Sequence, residues 1–187
     1  MRRFFAGIFC CALFLSVLRP GAVSAQGLAD AVAGEGTAFA MDLYARLKDT
    51  PGNLVVSPYS ILTALTMTYA GARGSSALEM AQVLRIDLQG DALHRAFFEH
   101  RQGLNAAEGC ELMVASALWG QEGYIFLPGF IALIAEYYGG GFDQADFSQG
   151  AAAAARINAW VMDKTRGKIQ DVVGPSQFND LTRLVLV

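Results

Sequence analysis

The sequence predicts an α+β fold of which this chain carries only the front part. Three observations lead there. Helix-periodic segments alternate with short β-favouring runs, one helical segment has no charged face, and residues 182–187 form an apolar run that stops without a turn signal. Soluble folds avoid a bare apolar strand at a chain end, because an uncovered edge templates aggregation. The run is also too apolar for an ordinary frayed tail.

The chain opens on an export signal. Arg2 and Arg3 precede an apolar run over residues 4–18, followed by Arg19-Pro20 and then Ala22-Val23-Ser24-Ala25. Small residues at Val23 and Ala25 place the cut between Ala25 and Gln26, so residues 1–25 are read as a signal peptide and 26–187 as part of one domain. The run is short for a bilayer span and is broken by Pro20, so no membrane association is expected after cleavage. The implied location is secreted or extracellular, or the periplasm of a bacterium.

Losing Arg2, Arg3 and Arg19 from fourteen basic residues leaves eleven against seventeen acidic ones, a net charge of −6. That balance argues against a nucleic-acid partner, which needs a clustered basic face. Cys10 and Cys11 leave with the signal, so Cys110 stands alone and no internal disulfide is expected. A lone cysteine at the head of a strand reads as packing.

Over residues 28–48, Phe39, Ala40, Leu43, Tyr44 and Leu47 follow helical spacing, and Pro51-Gly52 ends the segment. Leu54-Val55-Val56 reads as a short strand. Ser57-Pro58 then supplies an N-cap hydroxyl and a proline at the first helical position, where its missing N–H is harmless. The helix over residues 59–70 mixes Ile61, Leu62, Leu65, Met67 and Tyr69 with Ser and Thr only, so it must be buried on nearly every side. Gly71 and Gly74 stop it. Ser76 with Glu79 reads as a capping box opening a helix through Leu84, and another helix covers residues 91–104.

Residues 111–119 alternate, with Met113, Ala115, Ala117 and Trp119 on one face and Leu112, Val114, Ser116 and Leu118 on the other. Both faces are largely apolar, which marks an interior strand covered on both sides. Pro128 starts a helix presenting Phe130, Ile134, Tyr137 and Tyr138 that stops at Gly139-Gly140-Gly141. Residues 142–147 form a short strand, and 152–164 a helix with Ile157, Trp160 and Val161 inward.

Enzyme signatures fail. There is no G-x-S-x-G elbow, and Gly167-Lys168 lacks the upstream glycine and following hydroxyl of a phosphate loop. His94 and His100 lie six apart on one helix and point to different faces, so they read as solvated residues, not a metal pair. Asp143 and Asp146 read as surface charges. No catalytic site, metal site or cofactor is expected.

Two blocks resemble one family. Asn53-Leu54-Val55-Val56-Ser57-Pro58-Tyr59-Ser60-Ile61, then Ala64-Leu65 and Tyr69-Ala70-Gly71-Ala72-Arg73-Gly74, resembles the strand-to-helix signature near the start of serpins. Ile157-Asn158-Ala159-Trp160-Val161, Thr165-Arg166-Gly167-Lys168-Ile169, Asp171 and Thr182-Arg183-Leu184-Val185-Leu186-Val187 are similar to the serpin helix F, its exit loop and the entry into the third strand of the central sheet. Ala117-Leu118-Trp119 and Asp146-Phe147 match between them in order and approximate spacing. The resemblance covers residues 28–187. Ser76 stands where the family usually has threonine, which would preserve a hydroxyl cap.

The resemblance implies an incomplete serpin fold, comprising helices A to F and the first strands of the central sheet, without the reactive loop and C-terminal half. It implies inhibition of a serine or cysteine protease by the full-length protein: the protease acylates itself on a reactive loop that then inserts into the sheet. The chain by itself would be inactive. Asn53, Ser57, Pro58, Ser60, Gly71, Asn158 and Thr165 would be structural or shutter residues, Ser57 and Ser60 lying beneath the sheet where strands separate. The helix over 152–164 would lie across the sheet, and Leu184, Val185, Leu186 and Val187 would border its gap. Polysaccharide binding is not expected, since residues 91–104 offer only Arg95 and Arg101, with Glu99 between them. The competing readings are a non-inhibitory serpin acting as carrier or chaperone, and a secreted hydrolase.

Overall fold

A computed structural model describes residues 25–106, 109, 112, 114–139 and 141–187. Residues 1–24 of the signal segment, Cys110, Glu111 and Met113 lie outside the described residues. Helix α1 (Ala25–Leu47) comes first, beginning at the residue that precedes the expected cut. It buries Leu28, Val32 and Phe39 and leaves Tyr44 exposed, so the stripe runs through Leu43 and Leu47 instead.

The expected strand at 54–56 does not form. The segment is irregular and Val55 is 95% exposed, because no described strand lies beside it and an extended segment without a ladder partner is not a strand. Helix α2 (Pro58–Tyr69) follows as expected, with proline in its first turn and no exposed residue. Its burial tolerates polar side chains because they are satisfied within the helix. Thr63 Oγ1 donates to the Tyr59 carbonyl at 2.8 Å and Thr66 Oγ1 to the Leu62 carbonyl at 2.8 Å.

Helix α3 (Gly74–Leu84) begins before the expected capping box, with Arg73 as an extended N-cap that makes no side-chain cap bond. Ser76 therefore sits inside the first turn and caps nothing. The chain turns early because Gly74 takes a φ of +60° and Arg73 Nη1 donates to the carbonyls of Ala70 and Ala72, at 3.0 and 2.6 Å. Helix α4 (Asp91–Asn105) then packs along α1.

Strand β1 (Leu118–Gln121) is shorter than the alternation suggested. Leu112 is 45% exposed, and pairing starts only at Ala117, which exchanges two backbone hydrogen bonds with Val187 at 2.8 and 3.0 Å. Helix α5 (Pro128–Tyr138) carries the chain over to β2 (Phe142–Ala145), the kind of crossover a parallel pair requires. Helix α6 (Gly150–Lys164), a short 3₁₀ turn (Pro175–Gln177) and β3 (Leu184–Leu186) complete the order. The sheet runs β2-β1-β3, with Trp119 opposite Asp143 on the parallel side and Val185 on the antiparallel side.

β1 divides two cores. Leu118 points into a cluster built by α1 to α5, while Ala117 and Trp119 join Ala145, Phe147, Ile157, Val161 and Phe178 beneath α6. The two-sided burial read from the alternation is thus realised at Ala117, Leu118 and Trp119, all 1% exposed or less. The apolar composition of residues 184–187 predicts a buried strand, and the structure corrects this. The strand is paired along one side and is not buried: Leu184 and Val185 are half-covered and Leu186 is 37% exposed.

Candidate functional site

The head of α2, the end of α6 and the end of β3 converge on one cavity of about 820 Å³. Ser57, Pro58 and Ser60 line it from α2, Thr165 from the turn after α6, and Val187 from the chain end. Tyr59, His100, Trp160 and Lys164 also line it, among mostly apolar neighbours. Burial pushes the Tyr59 phenol up.

At the head of α2 the Ser60 N–H donates to Ser57 Oγ at 3.3 Å, and the two hydroxyl oxygens lie 3.0 Å apart. Ser57 is thereby the N-cap that the Ser-Pro pair predicts. Ser57→Ala is expected to cost about 1 kcal/mol of stability, and Ser57→Asp, which keeps an acceptor, should recover most of it in chemical denaturation.

On α6, Asn158 binds the returning chain. Its Oδ1 accepts the N–H groups of Val172 and Val173 at 3.0 and 3.1 Å, and its Nδ2 donates to the Val173 carbonyl at 2.9 Å. Thr165 Oγ1 donates to the Val161 carbonyl at 2.8 Å and accepts the Ile169 N–H at 3.0 Å, closing the exit turn. Phe178 stacks on Phe147 with ring centroids 5.4 Å apart, so the segment between α6 and β3 is held at both ends. Asn158 and Thr165 fix the path between helix and strand.

The remaining expected residues lie apart. Asn53 is exposed in the irregular segment before α2. Gly71 faces the Phe130 ring of α5, where an added Cβ would sit 3.4 Å from it. Leu184, Val185 and Leu186 form the edge of the sheet, and no described strand pairs with β3 on its far side.

One correction concerns a polar residue. His94 is not solvated: it is 4% exposed and shares a 2.7 Å hydrogen bond with the Tyr138 hydroxyl. His100 points elsewhere, as the spacing requires, and its ring lies 5.3 Å from that of Tyr59. Asp143 is a surface charge with a partner, since Arg156 of α6 reaches it at 2.9 Å while its guanidinium lies 5.6 Å from the centroid of the Trp119 ring. The sequence reading missed Arg156 because nothing in one helix marks which charge will meet a strand of the sheet below. Hydrogen bonds from Gln121 and Ser148 hold the Asp146 carboxyl below its usual range. Among the described residues, no group of three or more His, Cys, Asp or Glu is placed to hold a metal ion, and no helix is long and apolar enough to cross a membrane.

The model of one family, serpin (serine protease inhibitor), matches residues 35–187. A serpin-like protein of Thermococcus kodakarensis is 40% identical over 151 residues, covering 79% of this chain and 35% of that protein. Leukocyte elastase inhibitor of Bos taurus is 38% identical over 159 residues, covering 81% of this chain and 41% of the inhibitor. Among solved structures, Serpin48 of the insect Tenebrio molitor superposes with a TM-score of 0.75 at 30% identity, over 89% of this chain and 44% of that one. The chain thus spans well under half the length of the relatives it matches.

Proposed function

This chain belongs to the serpin family, and from that premise we propose that it is the front part of a secreted suicide inhibitor of a serine or cysteine protease. In this reading the protease attacks a reactive loop supplied by the C-terminal half of the domain, and the acylated loop enters the sheet as a new strand beside β3. Residues 1–25 direct export. The protein is an inhibitor and not a catalyst.

The observation that supports the reading is the outer edge of β3, which pairs with no other strand among the described residues, beside a cavity lined by Ser57, Ser60, Thr165 and Val187. A strand with one free edge carries a row of N–H and C=O groups ready to bond an incoming strand. Ser57 and Ser60 would act as shutter residues: their small side chains leave the strands above α2 room to part. Asn53, Pro58 and Gly71 would shape that turn and helix, while Asn158 and Thr165 would hold α6 and its exit loop as the sheet opens. Leu184 to Val187 would border the gap.

The test is direct. The complete protein, incubated with trypsin-like and subtilisin-like proteases, should form an equimolar covalent complex that survives SDS. Residues 26–187 alone should form none and should aggregate through the open β3 edge. No complex across a broad protease panel would overturn the inhibitory reading, and a monodisperse, cooperatively unfolding 26–187 would overturn the second expectation.

A further inference from the structure

We propose that the seam between α4 and α5 is an acid-released latch with His94 as its trigger. α4 grips the last turn of α5 at three points. His94 Nδ1 and the Tyr138 hydroxyl share a hydrogen bond of 2.7 Å. The Tyr137 hydroxyl donates to Asp91, which also pairs with Arg95 at 3.2 Å. Arg101 donates to the carbonyls of Tyr138 and Tyr137 at 3.0 and 3.4 Å, acceptors that a helix leaves unpaired at its C-terminus. Gly139, with φ +66°, then turns the chain towards β2. What holds this turn also positions the entry to the sheet.

His94 is the point at which acid can open the seam. The neutral ring can accept the Tyr138 proton, whereas the charged ring has only donors. Protonation would force the phenol to find another acceptor in a site where Tyr138 is also 4% exposed and Phe97 lies 6.2 Å away, centroid to centroid. α5 faces the ring with the Tyr137 and Tyr138 phenols, at centroid distances of 6.2 and 5.7 Å. α2 adds Tyr59, which acts on Tyr138. On α4 itself, Arg95 and Arg101 are bound to Asp91 and to the α5 carbonyls, and Asp91 is the one ionic group acting on the ring among the described residues.

Burial lowers the His94 pKa, and the nearby Asp91 carboxylate only partly offsets this. A folded pKa below the unfolded value of about 6.5 means that the unfolded chain binds more protons just below neutrality. The contribution of His94 to stability is therefore complete above about pH 6.5 and is lost as pH falls towards the folded pKa.

The experiment follows unfolding of the complete protein from pH 7.5 to 5 for the wild type, His94→Gln and His100→Gln. The wild-type unfolding constant should rise by up to about tenfold per pH unit below pH 6.5. His94→Gln should lose that component and His100→Gln should keep it. Amide exchange at residues 134–138, corrected for its intrinsic pH dependence, should accelerate in acid for the wild type but not for His94→Gln. If His94→Gln fails to fold, the His94 ring resonances of the wild type decide by NMR titration. Retention of the full slope in His94→Gln, or titration of folded His94 at or above about pH 6.5, overturns the proposal.

Discussion

Trp119→Ala is expected to destabilise the protein by about 3–5 kcal/mol, with α6 loosened from the sheet. Trp119 sits at the centre of β1, opposite both β2 and β3, and is 1% exposed. Its indole meets Trp160 of α6 edge-on at 6.4 Å, and the Arg156 guanidinium lies above it while bound to Asp143 of β2. One side chain thus joins two strands and the helix laid over them. The aromatic pair itself is worth only about 0.5–1.5 kcal/mol, so most of the loss should come from the cavity that alanine leaves. The indole N–H has no hydrogen-bond partner among the described residues. Trp119→Phe should therefore cost less than half the alanine value, since it gives up volume but no hydrogen bond. Urea denaturation of the complete protein separates the two, and equal losses for both variants would show that volume is not the determinant.

Gly120→Val is expected to cost about 3 kcal/mol, the upper end of the usual penalty for overpacking. A Cβ at Gly120 would lie 2.5 Å from ring carbons of both Phe126 and Phe142. Neither ring can yield cheaply. Their centroids are 4.8 Å apart, Phe126 is backed by Tyr124 at 5.3 Å, and Phe142 by Phe130 at 6.3 Å. Gly120 also pairs with Gln144 and Leu184, so a displaced backbone would weaken the sheet on both sides of β1. Gly34→Ala is the control: this residue lies inside α1, where an added Cβ meets nothing within 4 Å. It should stabilise by up to about 1 kcal/mol. Thermal melts that rank Gly120→Val level with Gly34→Ala would contradict the packing argument.

Local signals were legible where they concern a residue and its near neighbours. Ser57-Pro58 starts α2, Pro128 starts α5, and Gly139 ends α5 in a left-handed conformation. They failed where two local solutions compete or where the partner is remote. Ser76 and Glu79 have the spacing of a capping box, but Gly74 lets the helix begin three residues earlier. Leu54 to Val56 have strand composition, but composition provides no neighbour to pair with. His94 looked solvated because α4 is polar over much of its surface, and only the arrival of Tyr138, 44 residues later, buries it.

The sequence by itself determined the chain's family, the burial of α2 and the two covered faces of β1, because those are written in which side chains can tolerate water. It also set the apolar character of Leu184 to Val187. Tertiary structure decided the rest: that β1 lies between β2 and β3, that Ser57, Ser60, Thr165 and Val187 ring one cavity, and that His94 meets a phenol instead of solvent. Periodicity specifies which face is buried but not what covers it. That choice belongs to packing between elements far apart in the chain, where hydrogen-bond partners and free edges are assigned together.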